Sequence, residues 1–281
     1  MSLERAIEAF SVFGGVEESV ELDLFDDIET IIRFYFFSKY RDFKDLIRPS
    51  YLLEEPYDRV LIAISRGDGR VSNIFRKARI GESLGREILK ELYSLGVINF
   101  EASRETPLKS YPNQKLKKHL RTYQIEPKIR FNSPFLRFWF GFVAPFEREL
   151  NSGNTNRFIE NFENHFSRLN SLIFEQLSNA LLNQHFNNSL VSLGSYWDKN
   201  SEFDILAKTK NGVVIVGECK YKNRKICGSE LSKLKQKVKL SNLRVDKFAL
   251  FSKNGFSKEL LKSNDKNLIL FELKDFKNLL F

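Results

Sequence analysis

Only two cysteines occur among the 281 residues, Cys219 and Cys227. They lie eight apart, without metal-site spacing, and with no further cysteine they are expected to be reduced thiols of a cytoplasmic protein. Histidine is nearly as scarce: His119, His165 and His185 fall at no ligand spacing, so a zinc site is not expected. No G-x-x-x-x-G-K-[ST] stretch occurs, which excludes a P-loop and ATP binding by that route. Long hydrophobic runs are lacking too. The most apolar stretch, FNSPFLRFWFGFVAPF at 131–146, contains Pro134, Arg137 and Pro145 and is too short to span a bilayer, so it reads as core and no membrane partner is expected. The N-terminal MSLERAIEAF is charged and helical in pattern, unlike a secretory leader.

What is abundant is positive charge. Forty-five Lys and Arg against 36 Asp and Glu give a net charge of +9, which points to a polyanionic partner, DNA first. With 42% hydrophobic and 29% charged residues, the chain reads as globular and is long enough for two or three domains.

Residues 1–54 read as helical. ERAIEAFSVFGG carries apolar residues at helical spacing and stops at Gly14-Gly15, and DDIETIIRFYFFSKYRDFKDLI is a longer amphipathic pattern begun by Asp26 and Asp27. Residues 55–126 read as a winged helix: three helices, the second with Ser72 as its expected N-cap and the third ending at Gly96, and then a turn-rich segment closing on the strand-like RTYQIEP. In that arrangement the third helix enters the major groove. Ser83, Arg86 and Lys90 are its expected exposed positions, with Lys115, Lys117, Lys118 and Arg121 as phosphate contacts on or beside the wing. Residues 127–155 form a connector too dense in aromatics for a flexible linker. Its rings are expected to pack the winged helix onto the domain that follows, at 156–281. There a long helical pattern of one or two helices leads into strands alternating with helices, which predicts an α/β fold with a mixed sheet and helices on both faces.

Within that domain, EFDILAKTKNGVVIVGECK (202–220) predicts two strands around an Asn211-Gly212 tight turn. Alternation puts Glu202 and Asp204 on one face of the first strand. Glu218 and Lys220 share a face of the second, from which Cys219 points away. Seven basic residues follow between Tyr221 and Leu240 against the single Glu230. Lys222, Lys233 and Lys235, with Gln236, are candidate phosphate contacts.

Asp204, then Glu218-Cys219-Lys220, resembles the D…(D/E)xK signature of PD-(D/E)XK nucleases, the restriction-endonuclease-like superfamily. That resemblance implies Mg²⁺ or Mn²⁺ held by Asp204, Glu218 and a helix carboxylate, here Glu175, with the Cys219 carbonyl as an additional ligand. It also implies that Lys220 orients or deprotonates the attacking water, and Glu202 would orient a ligand from behind or itself ligate the metal. Hard divalent cations prefer such oxygen donors, and phosphodiester hydrolysis needs the ion to generate hydroxide and to neutralise charge at phosphorus.

Over nearly its whole length the chain also resembles the C-terminal half of a family of prokaryotic, largely archaeal, ATPases: helical lid, winged helix, and a last domain of unassigned function with nuclease-like features. FGGVEESVELD, LLEEPYDRVLIAIS, SPFLRFWFGFV and SLGSYWDKNSEFDILA with VVIVGECKYK carry the likeness. The ATPase core is missing, so either the ATPase is a separate polypeptide or this chain is independent of one. The expectation is a metal-dependent DNA endonuclease targeted by its winged helix. The alternative is a non-catalytic DNA-binding or adaptor protein docking on a separate ATPase. Oligomeric state stays open.

Overall fold

The computed structural model describes residues 2–21, 26–104, 113–115, 125–198, 200–241 and 243–280. The chain divides into two units, Met1–Glu101 with Pro127–Ile173, and Ala102–Glu126 with Phe174–Phe281.

The first unit is mainly helical. Ser2 caps α1 (Leu3–Phe13), accepting the Arg5 N–H at 3.2 Å, and Gly14-Gly15 ends it, with Gly15 at a φ of +92°. Asp27 caps the next helix by accepting the Thr30 N–H at 2.8 Å. This helix, α2 (Ile28–Thr30), runs into a π-helical turn over Ile31–Phe36, and α3 (Tyr40–Asp45) follows. Then come α4 (Tyr57–Ser65), α5 (Val71–Ala78) and α6 (Glu82–Ser94), each burying one apolar stripe. Gly85 lets α6 approach α5, because a Cβ there would lie 2.4 Å from the Phe75 ring.

Ser72 does not cap α5. The helix starts at Val71 with Arg70 at the cap position, because Asp68 fixes the entering turn, accepting from the Arg70 N–H at 3.1 Å and from the Asn73 amide at 2.9 Å.

β1 (Ile98–Glu101) pairs antiparallel with β2 (Lys128–Phe131). The second strand described begins at Lys128, and residues 121–124 of the strand-like RTYQIEP stretch lie outside the described residues. α7 (Pro134–Phe138), a π-turn over Trp139–Val143, α8 (Glu147–Asn151) and α9 (Asn156–His185, one unbroken helix) complete the order. The aromatic connector lies in the core of this unit. Phe138 meets Phe36 edge-on at 5.4 Å and Phe162 at 6.2 Å, and Trp139 stacks on Tyr40 at 5.6 Å.

The second unit is a five-stranded sheet in sequential order. β3 (Leu190–Trp197), β4 (Glu202–Thr209) and β5 (Val214–Lys220) run antiparallel, whereas β6 (Lys247–Ser252) and β7 (Leu268–Glu272) extend it parallel to β5. The parallel crossovers carry α10 (Gly228–Ser241) and α11 (Lys258–Leu261). Leu231, Leu234 and Val238 of α10 pack with Val216 and Leu250 on one face. On the other face, the C-terminal part of α9 brings His185 edge-on to Phe271 at 5.2 Å. The expected α/β domain, a mixed sheet with helices on both faces after a mainly helical region, is the fold observed.

β3 is an edge strand, and residues 102–104 line it. Ser103 Oγ donates to the Trp197 carbonyl at 2.6 Å and accepts its N–H at 2.8 Å, while the Arg104 N–H donates to the Ser195 carbonyl at 3.1 Å. No helix among the described residues is long and apolar enough to cross a membrane.

Candidate active site

The β4–β5 hairpin turns through three residues. The Thr209 N–H donates to the Val213 carbonyl and the Gly212 N–H to the Thr209 carbonyl, each at 3.0 Å, with Gly212 at a φ of +82°. Lys210-Asn211 thus make the turn and Gly212 takes the left-handed position, in place of the expected two-residue turn centred on Asn211-Gly212.

At the other end of the hairpin, pairing stops at Ile205 and Gly217, so Asp204 and Glu218 stand one step beyond the last rung. Asp204 Oδ2 accepts the Cys219 N–H at 2.7 Å. Burial and the Glu218 charge push the Asp204 carboxyl up to about 6; the Cys219 N–H and the Lys220 and Lys237 charges oppose that rise without cancelling it.

Glu218 is 9% exposed and shared by two lysines. Lys220 donates to its Oε1, and Lys237 of α10 donates to its Oε2 at 3.2 Å. Burial by itself would lower the Lys220 ammonium, but its hydrogen bond to Glu218 and the charges of Glu218, Asp204 and Glu230 outweigh burial and hold its pKa above the ordinary lysine value.

Alternation along β5 separates the neighbours. Glu218 faces α10, while the buried Cys219 thiol meets Ser178 of α9. Burial pushes that thiol well above its usual pKa, and the negative charges of Asp204, Glu175 and Glu218 push the same way. Glu175 lies one turn before Ser178 on α9. Among the described residues no three of His, Cys, Asp and Glu gather as a metal site. Asp204 and Glu218 come together, and Glu175 does not join them as a third. Glu202 opens β4 opposite Trp197.

Of the candidate phosphate contacts, Lys222 and Lys233 join Lys220, Arg224 and Lys225 around a cavity of about 160 Å³ at the start of α10, where Glu230 is the one acid among the lining residues. Lys235 pairs with Asp265 at 3.0 Å, and Gln236 is exposed. In the first unit Ser83, Arg86 and Lys90 line the exposed side of α6, with Arg86 held by Glu82 at 2.6 Å. Lys115 is exposed. Lys117, Lys118 and Arg121 lie outside the described residues.

Lys237 is the site residue that the motif does not contain. Its signal was present in the helical spacing: it falls three residues after Leu234 and one before Val238, at the border of the face that α10 buries.

The family model of archaeal and bacterial proteins of unknown function, DUF234, matches residues 139–238, little more than a third of the chain. That stretch runs from the π-turn through α9 and the hairpin into α10, and so contains Glu175, Asp204, Glu218, Lys220 and Lys237. Among solved structures, a chain from the Thermococcus gammatolerans assembly of McrB AAA+ hexamers with bound McrC is similar at 14% identity and a TM-score of 0.25. The alignment covers 81% of this chain and 52% of that one, so this chain spans about half the length of its structural relative. No curated protein matches the sequence.

Proposed function

We propose that this chain is a divalent-metal-dependent DNA endonuclease with its site at the open end of the β4–β5 hairpin. The observation that carries this reading is the meeting of two carboxylates, Asp204 and Glu218, with two ammonium groups, Lys220 and Lys237, on the strand where the sheet changes from antiparallel to parallel pairing.

The donor set fits Mg²⁺ or Mn²⁺. Asp204 and Glu218 repel each other, which a divalent cation relieves. The Cys219 N–H points to Asp204, and in a strand the carbonyl of the same residue points to the same side, making it a third oxygen donor. An ion held there would acidify a water and neutralise charge at phosphorus. Lys220, its pKa held above the ordinary value, acts as a charged donor that orients the water or the scissile phosphate, not as the base. The cationic cavity beside it receives the neighbouring phosphates. We read α4–α6 with β1 and β2 as a winged helix that presents Ser83, Arg86 and Lys90 to the major groove.

The test is cleavage of supercoiled, linear, single-stranded and branched DNA with Mg²⁺, Mn²⁺ or chelator, with Asp204→Ala run beside the parent. Cleavage lost both with chelator and in the variant supports the reading; equal cutting by the two proteins overturns the site. One observation favours a second reading, that of a non-catalytic DNA-binding or adaptor protein: Glu218 is already neutralised by two lysines. Salt-sensitive DNA binding without cleavage of any substrate is the outcome expected of it.

A further inference from the structure

In the first unit, a cavity of about 350 Å³ lies between the end of α4, the π-turn after α7, and α9. Its charge is of one sign. Arg66, Arg137, Arg168 and His165 line it, and no Asp or Glu does. Arg137 is 5% exposed, so its guanidinium belongs to the interior. Arg66 and Arg168 are steadied by neutral groups. Arg66 Nε donates to the Gly141 carbonyl at 3.1 Å and its Nη2 to Asn161 Oδ1 at 3.5 Å, and Arg168 Nη2 donates to the Gly67 carbonyl at 3.5 Å. Neither has a carboxylate partner among the described residues. The guanidinium fork matches the oxygens of a phosphate, so Arg66, Arg137 and Arg168 around a cavity with no acid in its lining suit an anion.

The wall of the cavity is built to close tolerance. A Cβ at Gly141 would lie 2.3 Å from Ser65 Oγ, and that hydroxyl donates to the Arg137 carbonyl at 2.8 Å. The close approach of the π-turn to α4 thus fixes where Arg137 stands. Phe142, Leu169 and Leu172 supply an apolar side. A cavity of this volume, with a few convergent polar groups and an apolar side, is of the size and kind that take small ligands.

We infer that this cavity binds a small organic phosphate monoester, of mononucleotide size, with its phosphate on Arg66, Arg137 and Arg168 and its body against Phe142, Leu169 and Leu172. A phosphate monoester carries nearly two negative charges and three acceptor oxygens, which matches three guanidinium groups where a carboxylate would not. The same chemistry is offered by a free nucleotide and by the 5′-phosphate end of a strand. The site is separate from the hairpin, and the inference stands or falls independently of the nuclease reading.

The experiment is calorimetric titration of the full chain, without added metal, with the four ribonucleoside monophosphates and, as the control, the matching nucleosides. Arg66→Gln and Arg168→Gln, at exposed positions compatible with folding, are titrated alongside. The parent is expected to bind at least one monophosphate and not its nucleoside, and each variant to lose about tenfold or more in affinity. Competition by a 5′-phosphorylated oligonucleotide, but not by its 5′-hydroxyl form, would identify a strand end as the source; no competition by either would identify a free nucleotide. The inference is overturned if no monophosphate binds, if nucleoside binds as well as monophosphate, or if both variants bind like the parent, which would move the phosphate to the lysine-lined cavity by α10.

Discussion

Lys237 of α10 reaches Glu218 of β5, ammonium to Oε2 at 3.2 Å, while Lys220 holds the other oxygen. The carboxylate best placed to take a cation is therefore gripped by two cations of the protein, one of them from a helix outside the strand motif. An added divalent ion has to compete with them. Lys237→Gln is expected to tighten Mn²⁺ binding about threefold to tenfold, as one opposing charge near the surface is removed, and to weaken DNA binding. Calorimetry with Mn²⁺ and a DNA-binding titration check both halves; an unchanged Mn²⁺ affinity means that Lys237 is not a competitor.

Asp204 should make folding depend on pH in a direction opposite to most carboxylates. Its pKa rises from 3.8 to about 6 on folding, so the folded protein binds this proton more tightly than the unfolded chain. Stability from this group is full below about pH 4, is lost as pH rises through about 6, and stays lost above. Asp204→Asn keeps an oxygen for the Cys219 N–H and removes the charge. It is expected to be more stable than the parent by up to about 3 kcal/mol at pH 8, since each pKa unit is worth about 1.4 kcal/mol, and to show no gain near pH 4. Urea unfolding at the two pH values measures the difference.

Lys220→Gln separates chemistry from binding. Cleavage is expected to fall by about 10² to 10⁴, the range for a lost proton-transfer or charge-stabilising group, with no loss of Mn²⁺ affinity. Because the Lys220 pKa is held above the ordinary lysine value, the parent rate should show no decline from its deprotonation between pH 6 and 9. Initial rates across that range test the point, and a variant that cuts at the parental rate removes Lys220 from the mechanism.

The two thiols should differ sharply. Cys227 is exposed, and the Ser229 hydroxyl and backbone N–H at the start of α10 lower its pKa, whereas Cys219 is buried with its thiol pushed up. Iodoacetamide is expected to add one label to the native protein, at Cys227, and a second only in denaturant. Intact-mass and peptide mass spectrometry locate both. Early labelling of Cys219 would show that the hairpin end opens readily.

The hairpin and its charged end were legible because both follow from short-range rules. Period-two alternation fixes which side chains share a face, and a glycine pair or a capping aspartate such as Asp27 marks an element's end within a few residues. The failures come from choices made at longer range or between equal local options. Gly212 suits either a two-residue turn or the left-handed place of a three-residue one, and the hydrogen bonds of Thr209 decide for the second. Asp68 and Ser72 are both able to start α5, and the aspartate reaches two donors. Lys237 is one lysine in a run of alternating lysines; only the docking of Leu234 and Val238 on the sheet turns it toward Glu218.

Ser103 and Trp197, bonded to each other twice, are 94 residues apart in the chain. The sheet thus borrows its outermost cover from a segment made long before any of its own strands, and the α/β unit is not continuous in sequence. A fragment starting at Phe174 would leave the backbone of β3 open to pairing with other molecules and should aggregate, while one starting at Ala102 would carry part of the helical unit with it. During synthesis residues 102–104 must wait for β3 to emerge before they can cover its edge.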